Sequence, residues 1–315
     1  MLEYNRSKHY YYHSVFYRYE EKMKNCLIIL NYNDAQSCLN LINKIKQYQN
    51  IDKIIIVDNQ STDDSYSLLS TLKNSKVDVI QTNHNGGYSY GNNYGCFWAI
   101  NKYSPNYLTI CNPDIYVKEE VLDDLISIMD QKKEESISCI SCKMNCESTP
   151  NLLSTWKLPK YSDCILNNLT ILRKIIGNKT IYNENELNKA FPVKVDVLAG
   201  SFFIIRSKAF SSVKGFDDTV FLYNEENILS KKLQEKGWKN LYVNYLSYDH
   251  YHSISINKSF SSEAKKLDLA YKSRLIYCEK YLEIGRIKKY FFIITYKIGK
   301  FNYLTGKYIL KQLKK

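Results

Sequence analysis

The sequence predicts a doubly wound α/β fold, with a mostly parallel central sheet flanked by helices. Three observations predict it. Apolar runs of strand length (Cys26–Leu30, Ile54–Val57, Val77–Gln81 and 107–111) alternate with stretches of helical periodicity. Three of these runs stop in polar, acid-bearing turns: Asn31–Asp34, Asp58–Asp63 and Asn112–Asp114. Open α/β sheets take their ligands at the carboxyl ends of strands, where these turns fall.

Taken in order, residues 1–24 are polar, tyrosine-rich and aperiodic. They read as an N-terminal extension, with Met1 and Met23 as alternative starts. The strand 26–30 precedes an amphipathic helix over 35–48 that puts Cys38, Leu41, Ile42 and Ile45 on one face. The next strand, 54–57, then implies a right-handed parallel crossover. Ser61 and Thr62 can cap a helix over 64–73. After the strand 77–81, the turn Asn85-Gly86-Gly87 lets backbone approach a ligand closely, and the helix that begins near Tyr90 offers its N-terminus to phosphate. The turn has neither the glycine spacing of a dinucleotide fingerprint nor the Gly-Lys-Ser/Thr of a phosphate loop.

The strand 107–111 must end at Pro113, which has no N–H to donate. That leaves Asp114 at the open end of the sheet. A carboxylate there suits a hard divalent cation bridging phosphates, or simply caps an Asn-Pro turn. A helix over 118–131 follows. Residues 140–190 read as an irregular acceptor-side insertion with helical patches around 164–176. Order returns at 195–206, where Gly200-Ser201 interrupts an apolar segment and suggests close approach of backbone to substrate. Asp217, Tyr223 and the pair Glu225-Glu226 lead into a helix over 227–236. Acids suit a helix N-terminus on electrostatic grounds alone, but a carboxylate among Phe216, Phe221 and Tyr223 can also have a raised pKa and act as a general base. A strand over 241–246 precedes His250, a metal or phosphate ligand or an ordinary hydrogen-bonded histidine. A helix spans 262–283.

With 44 Lys and Arg against 32 Asp and Glu, the formal net charge of +12 favours anionic partners. Residues 286–315 hold nine basic residues and no acid, interleaved with aromatic and aliphatic side chains. That pattern suits a helix lying on an anionic membrane surface, and equally a solvated helix packed on its own domain. No nucleic-acid motif accompanies the charge, so nucleic acid is not an expected partner. No run approaches the roughly 18 apolar residues of a spanning helix, and no signal peptide is visible. The nine scattered cysteines fit reduced, buried thiols and a cytoplasmic protein. The spacing of Cys139, Cys142 and Cys146 lacks the second pair or histidines of a zinc site.

Seven stretches in order resemble family 2 glycosyltransferases of the GT-A fold, a Rossmann-like architecture, and in particular the rhamnosyltransferase-like branch that builds bacterial surface polysaccharides. They are IILNYN (28–33), IVDNQSTDDS (56–65), NGGYSYGNNYG (85–95), NPD (112–114), DVLAGSFFIIR (196–206), GFDDTVFLYNEE (215–226) and HYHSIS (250–255). The resemblance implies a catalytic domain over 25–260, with a nucleotide-binding half 25–135 and an acceptor-side half 136–260, followed by a basic helical region 261–315. It implies that Asn31, Asp58 and Asn59 contact the base and ribose of a nucleotide-sugar donor, with Asn85, Gly86, Gly87 and Asn93 covering ribose and phosphate. Asn112 and Asp114 take the place of the family's Asp-x-Asp-like motif, so Asp114 would bind Mg²⁺ or Mn²⁺ with His250 nearby. Gly200, Ser201, Asp217 and Tyr223 would lie on the acceptor side. Glu226 stands where the family's catalytic Asp does, with Glu225 before it, and Ile228 stands where the family tends to have a further Asp. The implied activity is inverting, metal-dependent transfer to a glycan or lipid-linked oligosaccharide in capsule or O-antigen-type biosynthesis, peripheral on the inner face of the cytoplasmic membrane. Two other readings use the same residues. A nucleotidyltransferase would need a Gly-rich loop with Arg and Lys after the first strand, which Asn31–Gln36 lacks. An inactive binding or scaffold protein would keep the fold with Glu in place of Asp.

Overall fold

The computed structural model describes residues 24–133, 135–149, 152–251 and 262–312. The N-terminal extension, its alternative starts, and the stretch from His252 to Ser255 lie outside the described residues. In chain order the elements are β1 (Asn25–Asn31), α1 (Ala35–Ile45), β2 (Lys53–Asp58), α2 (Ser65–Ser70), β3 (Val77–Gln81), α3 (Gly87–Tyr103), β4 (Tyr107–Cys111), β5 (Ile115–Tyr116) and α4 (Glu119–Gln131). Then come β6 (Ile137–Asn145), β7 (Thr155–Trp156), α5 (Tyr161–Asn168), α6 (Thr170–Ile176), α7 (Glu184–Leu187), β8 (Val193–Val195), β9 (Val197–Leu198) and β10 (Phe202–Arg206). The chain continues through α8 (Ser207–Ser212), α9 (Glu225–Glu235), β11 (Lys239–His250), α10 (Glu263–Ile276), a π-helical turn at Tyr277–Tyr281, and α11 (Arg286–Gln312).

The main sheet runs β3-β2-β1-β4-β10-β6-β11-β5, with β8 also paired to β11. The first four strands are parallel, as expected from their crossovers. β10 is antiparallel to both neighbours, so it reverses the sheet at its centre. Helices cover both faces. α1 and α4 bury Leu41, Ile45, Leu122 and Met129 on one side. On the other, Cys96, Ala99, Phe210, Leu229 and Leu233 come from α3, α8 and α9. A smaller third cluster joins α10, the π-helical turn and α11 to α9 through Ile228, Tyr277, Cys278 and Phe292.

Several sequence expectations change. β6 is a central strand where an irregular insertion was expected to begin. Its Ser138-Cys139 and Ser141-Cys142 pairs mask the apolar signal. The serines are tolerated because their hydroxyls are satisfied: Ser141 Oγ donates to the Phe202 carbonyl at 2.7 Å and Ser138 Oγ to that of Lys239 at 3.0 Å. The helical patches expected around 164–176 are α5 and α6. α3 starts at Gly87 rather than near Tyr90, α9 starts at Glu225 itself, and β11 extends to both sides of the expected 241–246. All nine cysteines are buried and free.

Candidate functional site

Parallel pairing of β1 with β2 brings Asn31 opposite Asp58 at the carboxyl end of the sheet. Both are fully buried. Asn31 Nδ2 donates to Asp58 Oδ2 at 3.1 Å and to Ser61 Oγ at 3.2 Å. Asp58 Oδ1 accepts from the Ser61 N–H at 3.0 Å and from Gln81 Nε2 at 3.1 Å. Gln60, with φ of 57°, turns the chain so that Ser61 reaches back. Next to them Asn59 Nδ2 donates to Asn85 Oδ1 and to the Gly87 carbonyl, both at 3.0 Å, and its oxygen accepts from Thr82. The acid-bearing strand ends therefore form one cross-linked floor under the 83–87 turn.

The glycine turn approaches protein backbone very closely. Gly87 has φ of +83°, and a Cβ there would sit 2.0 Å from the Phe221 carbonyl oxygen. That carbonyl accepts the Tyr88 N–H at 2.9 Å. Asn93 uses both ends of its amide on the Phe216 backbone, at 3.0 and 2.8 Å. The turn and helix α3 thus fix the 216–224 loop, which carries the acid pair.

After Pro113 ends β4, the chain crosses to the far side of β11. β5 pairs there in register with Ile115 opposite His250, and the Tyr251 N–H donates to the Asp114 carbonyl. This pairing brings Asp114 Oδ1 to 3.4 Å from His250 Nε2, with both side chains largely buried. The Asn112 N–H donates to the Ser201 carbonyl at 2.8 Å, which ties the same turn to the break between β9 and β10. Ser201 Oγ lies 2.8 Å from the Tyr248 hydroxyl.

Gly200 is the meeting point of Tyr88 and Glu226. Its N–H donates to Glu226 Oε1 at 3.3 Å, and its carbonyl accepts the Tyr88 hydroxyl at 2.6 Å. A Cβ on Gly200 would lie 2.8 Å from that same Glu226 oxygen. Tyr223 and Asn224 both have left-handed φ, 70° and 65°, and deliver Glu225 and Glu226 into the first turn of α9. Glu225 is buried, and its Oε2 has no hydrogen-bond partner among the described residues. Burial pushes the Glu225 carboxyl well above the usual range, and the charge of Glu226 adds to this. Burial also raises Glu226, opposed by backbone N–H donors of its own residue and of Gly200. Two adjacent acids with separated proton affinities can divide the roles of proton holder and proton acceptor.

Asp217 is engaged elsewhere. It accepts from Tyr281 at 2.7 Å and from Thr219, and pairs with Lys280. These contacts attach the π-helical turn to the 216–224 loop. Sequence reasoning missed Tyr88, Tyr248 and Asn227, whose side chain accepts from Trp156 Nε1 at 2.8 Å. Only Tyr88 left a trace in the sequence, as an aromatic residue directly after the glycine pair.

The donor set at Asp114 and His250 fits a divalent cation of shared coordination. Among the described residues no group of three His, Cys, Asp or Glu converges to hold a metal alone. Mg²⁺ and Mn²⁺ sites that act on phosphates commonly take only one or two protein ligands and complete the shell from phosphate and water.

The profile of the family described as Glycosyl transferase family 2 matches residues 26–213. The chain belongs to this family. The rhamnosyltransferase WbbL of Escherichia coli (strain K12) is 29% identical over 182 residues, which are 56% of this chain and 65% of WbbL. The match thus spans a little under two thirds of that relative's length. Residues 1–349 of S. aureus TarS share the fold at a TM-score of 0.53 and 13% identity, over 89% of this chain and 72% of that TarS fragment. The mannosyltransferase PcManGT from Pyrobaculum calidifontis, solved with GDP-Man and Mn²⁺, gives a TM-score of 0.55 at 10% identity, over 85% of this chain and 66% of its own. This family 2 chain has the GT-A architecture, and the profile ends at Val213, just before the loop that delivers Glu225 and Glu226.

Proposed function

We propose that the protein is an inverting, metal-dependent glycosyltransferase. It moves a sugar from a dTDP-, UDP- or GDP-sugar to a hydroxyl of a glycan or lipid-linked oligosaccharide, in capsule or O-antigen-type polysaccharide biosynthesis on the cytoplasmic side. The similarity to the rhamnosyltransferase WbbL favours rhamnose or another hexose as the cargo. One observation carries the reading. The Asn112–Ser201 hydrogen bond joins the turn bearing Asp114 to the break at Gly200 on which Glu226 is held.

The floor of Asn31, Asp58 and Asn59 receives the base and ribose, and the 85–87 turn closes over them. Asp114 and His250 would hold Mg²⁺ or Mn²⁺, which when bound would neutralise charge on the leaving diphosphate. Glu226 accepts the proton of the acceptor hydroxyl as that oxygen bonds to the anomeric carbon and the bond to diphosphate breaks. Attack from the face opposite the nucleotide inverts the anomeric centre. Glu225 keeps its proton, so the pair carries one negative charge where two would repel.

The test is the thermal midpoint of the purified chain with UDP, GDP or dTDP, each with and without Mn²⁺, followed by transfer assays. One nucleotide should raise the midpoint, and only with metal, because a ligand of the folded state alone stabilises it. Asp114→Ala should remove this metal-dependent rise and lower transfer by about 10²-fold or more while the protein still folds. Full transfer by Asp114→Ala overturns the metal assignment.

A further inference from the structure

α11 has two apolar faces, and among the described residues only one is covered. The inner face carries Phe292, fully buried, together with Thr295 and Gly299. It packs so closely on the end of α5 that a Cβ at Gly299 would lie 1.7 Å from the Asn168 carbonyl. Asn168 in turn donates to the Phe292 carbonyl and to Thr295 Oγ1, both at 3.2 Å. The aromatic and aliphatic residues of the tail therefore do not all point the same way, as a helix resting freely on a surface would require.

The outer face is a second stripe, formed by Ile287, Tyr290, Phe291, Ile294, Ile298 and Phe301. Successive spacings of three and four residues align them along one side of the helix. They are strongly exposed, from 48% for Ile298 to 87% for Ile287. Exposed Lys297 lies along one edge of the stripe, and Lys288 beyond the other. The neighbouring helix α6, which packs against α11, repeats the composition: Leu172, Ile175 and Ile176 are exposed beside Arg173 and Lys174. Seventeen large apolar side chains are exposed among the described residues. Ten of them belong to these two helices: Leu172, Ile175, Ile176, Ile309 and the six of the stripe.

We infer that α11 and α6 together form a docking surface for an anionic phospholipid bilayer. Charge complementarity selects this occupant. The apolar stripe is flanked by Arg and Lys, and the described part of α11 contains no acid to repel anionic headgroups or to pair with the lysines of a second copy. The long apolar side chains enter the acyl boundary while the basic ones stay at the headgroups. No helix among the described residues is long and apolar enough to cross a membrane. The surface is independent of the reaction proposed above. Failure of either reading leaves the other standing, because the probe here is a vesicle without nucleotide sugar.

The experiment is co-sedimentation of the full chain with vesicles of phosphatidylcholine alone and of phosphatidylcholine with phosphatidylglycerol. Binding should require the anionic lipid and weaken as salt rises. The variant Phe291→Ser/Ile294→Ser/Ile298→Ser should lower vesicle affinity about tenfold or more with an unchanged thermal midpoint, since these side chains support no core. Lys297→Glu should lower it about fivefold for each unit of charge changed. Equal binding by the triple variant, or equal binding to both vesicle types, overturns the proposal. So does a dimer in solution that the triple variant splits while the wild-type chain ignores vesicles.

Discussion

The two halves of the site treat polar groups in opposite ways. On the proposed donor side, Asn31, Asp58, Ser61 and Gln81 satisfy one another and Asn59 donates to Asn85, through hydrogen bonds of about the usual length, between 3.0 and 3.2 Å. On the acceptor side, Glu225 keeps a buried oxygen without a hydrogen-bond partner among the described residues, and two successive residues hold left-handed φ to deliver it. A bulky residue such as Tyr223 in that region is costly, and such strain persists only where the surroundings enforce it. The proposed donor half is built as a rigid receptor, whereas the proposed acceptor half retains unfavourable contributions that a substrate can relieve.

The strongest way to break this comparison is at Glu226. Glu226→Gln removes the proposed proton acceptor and keeps the shape that Gly200 grips. Transfer should fall about 10²- to 10⁴-fold while metal-dependent nucleotide binding is unchanged. If Glu225→Gln abolishes transfer and Glu226→Gln does not, the roles of the two acids are reversed.

The second effect concerns the link between the halves. In Gly87→Ala the new methyl meets the Phe221 carbonyl, and Ala must adopt φ near +83°. The cost should be about 2 kcal/mol or more, seen as a lower denaturation midpoint. Weaker transfer should accompany it, because the 216–224 loop lifts. An unchanged midpoint would mean that the loop can give way freely and that the acceptor half is less constrained than its backbone suggests.

Tyr88→Phe is milder. Burial raises the Tyr88 phenol well above its usual range, so at neutral pH it is a neutral donor to the Gly200 carbonyl. Losing one hydrogen bond costs about 1 kcal/mol. The loss should appear mainly in kcat, with a shifted acidic limb of the pH profile, because Gly200 orients Glu226. A change confined to KM would assign Tyr88 to substrate binding instead.

Much of this could be read from the chain, and the exceptions have physical causes. The parallel half was legible because its strands are buried on both faces and read as continuous apolar runs. β6 was hidden because Ser138 and Ser141 satisfy their hydroxyls only through β10 and β11, which lie far away in sequence. The approach of Asp114 to His250 follows from β5 pairing with β11, a long-range contact that no local pattern encodes. Glu225 and Glu226 were visible as acids at a helix start, but their depth of burial was not. Asn93 stands within a matched motif, yet its amide is spent on the Phe216 backbone, because a motif identifies residues and not what they face.

The smallest predicted effect is the most specific to the contrast between the halves. A buried carboxyl whose proton affinity is raised in the folded state binds more protons folded than unfolded once the pH exceeds the ordinary glutamate value of about 4.3. Stability contributed by Glu225 therefore declines as pH rises through that window toward its folded-state pKa. Gln in its place has no proton to lose and nearly the same shape. Glu225→Gln should raise the thermal midpoint at pH 8 by roughly 2 °C for each 1 kcal/mol recovered. At pH 4, where the carboxyl is largely protonated in both states, the difference should shrink toward zero. The matching substitution on the donor side, Asp58→Asn, should lower the midpoint at pH 8, because Asp58 accepts from Asn31, Ser61 and Gln81 and an amide cannot accept at both ends. Opposite signs for the two variants at pH 8 are the expected outcome. A loss of stability in both would mean that Glu225 is satisfied after all, and the division between a rigid donor floor and a strained acceptor wall would fall.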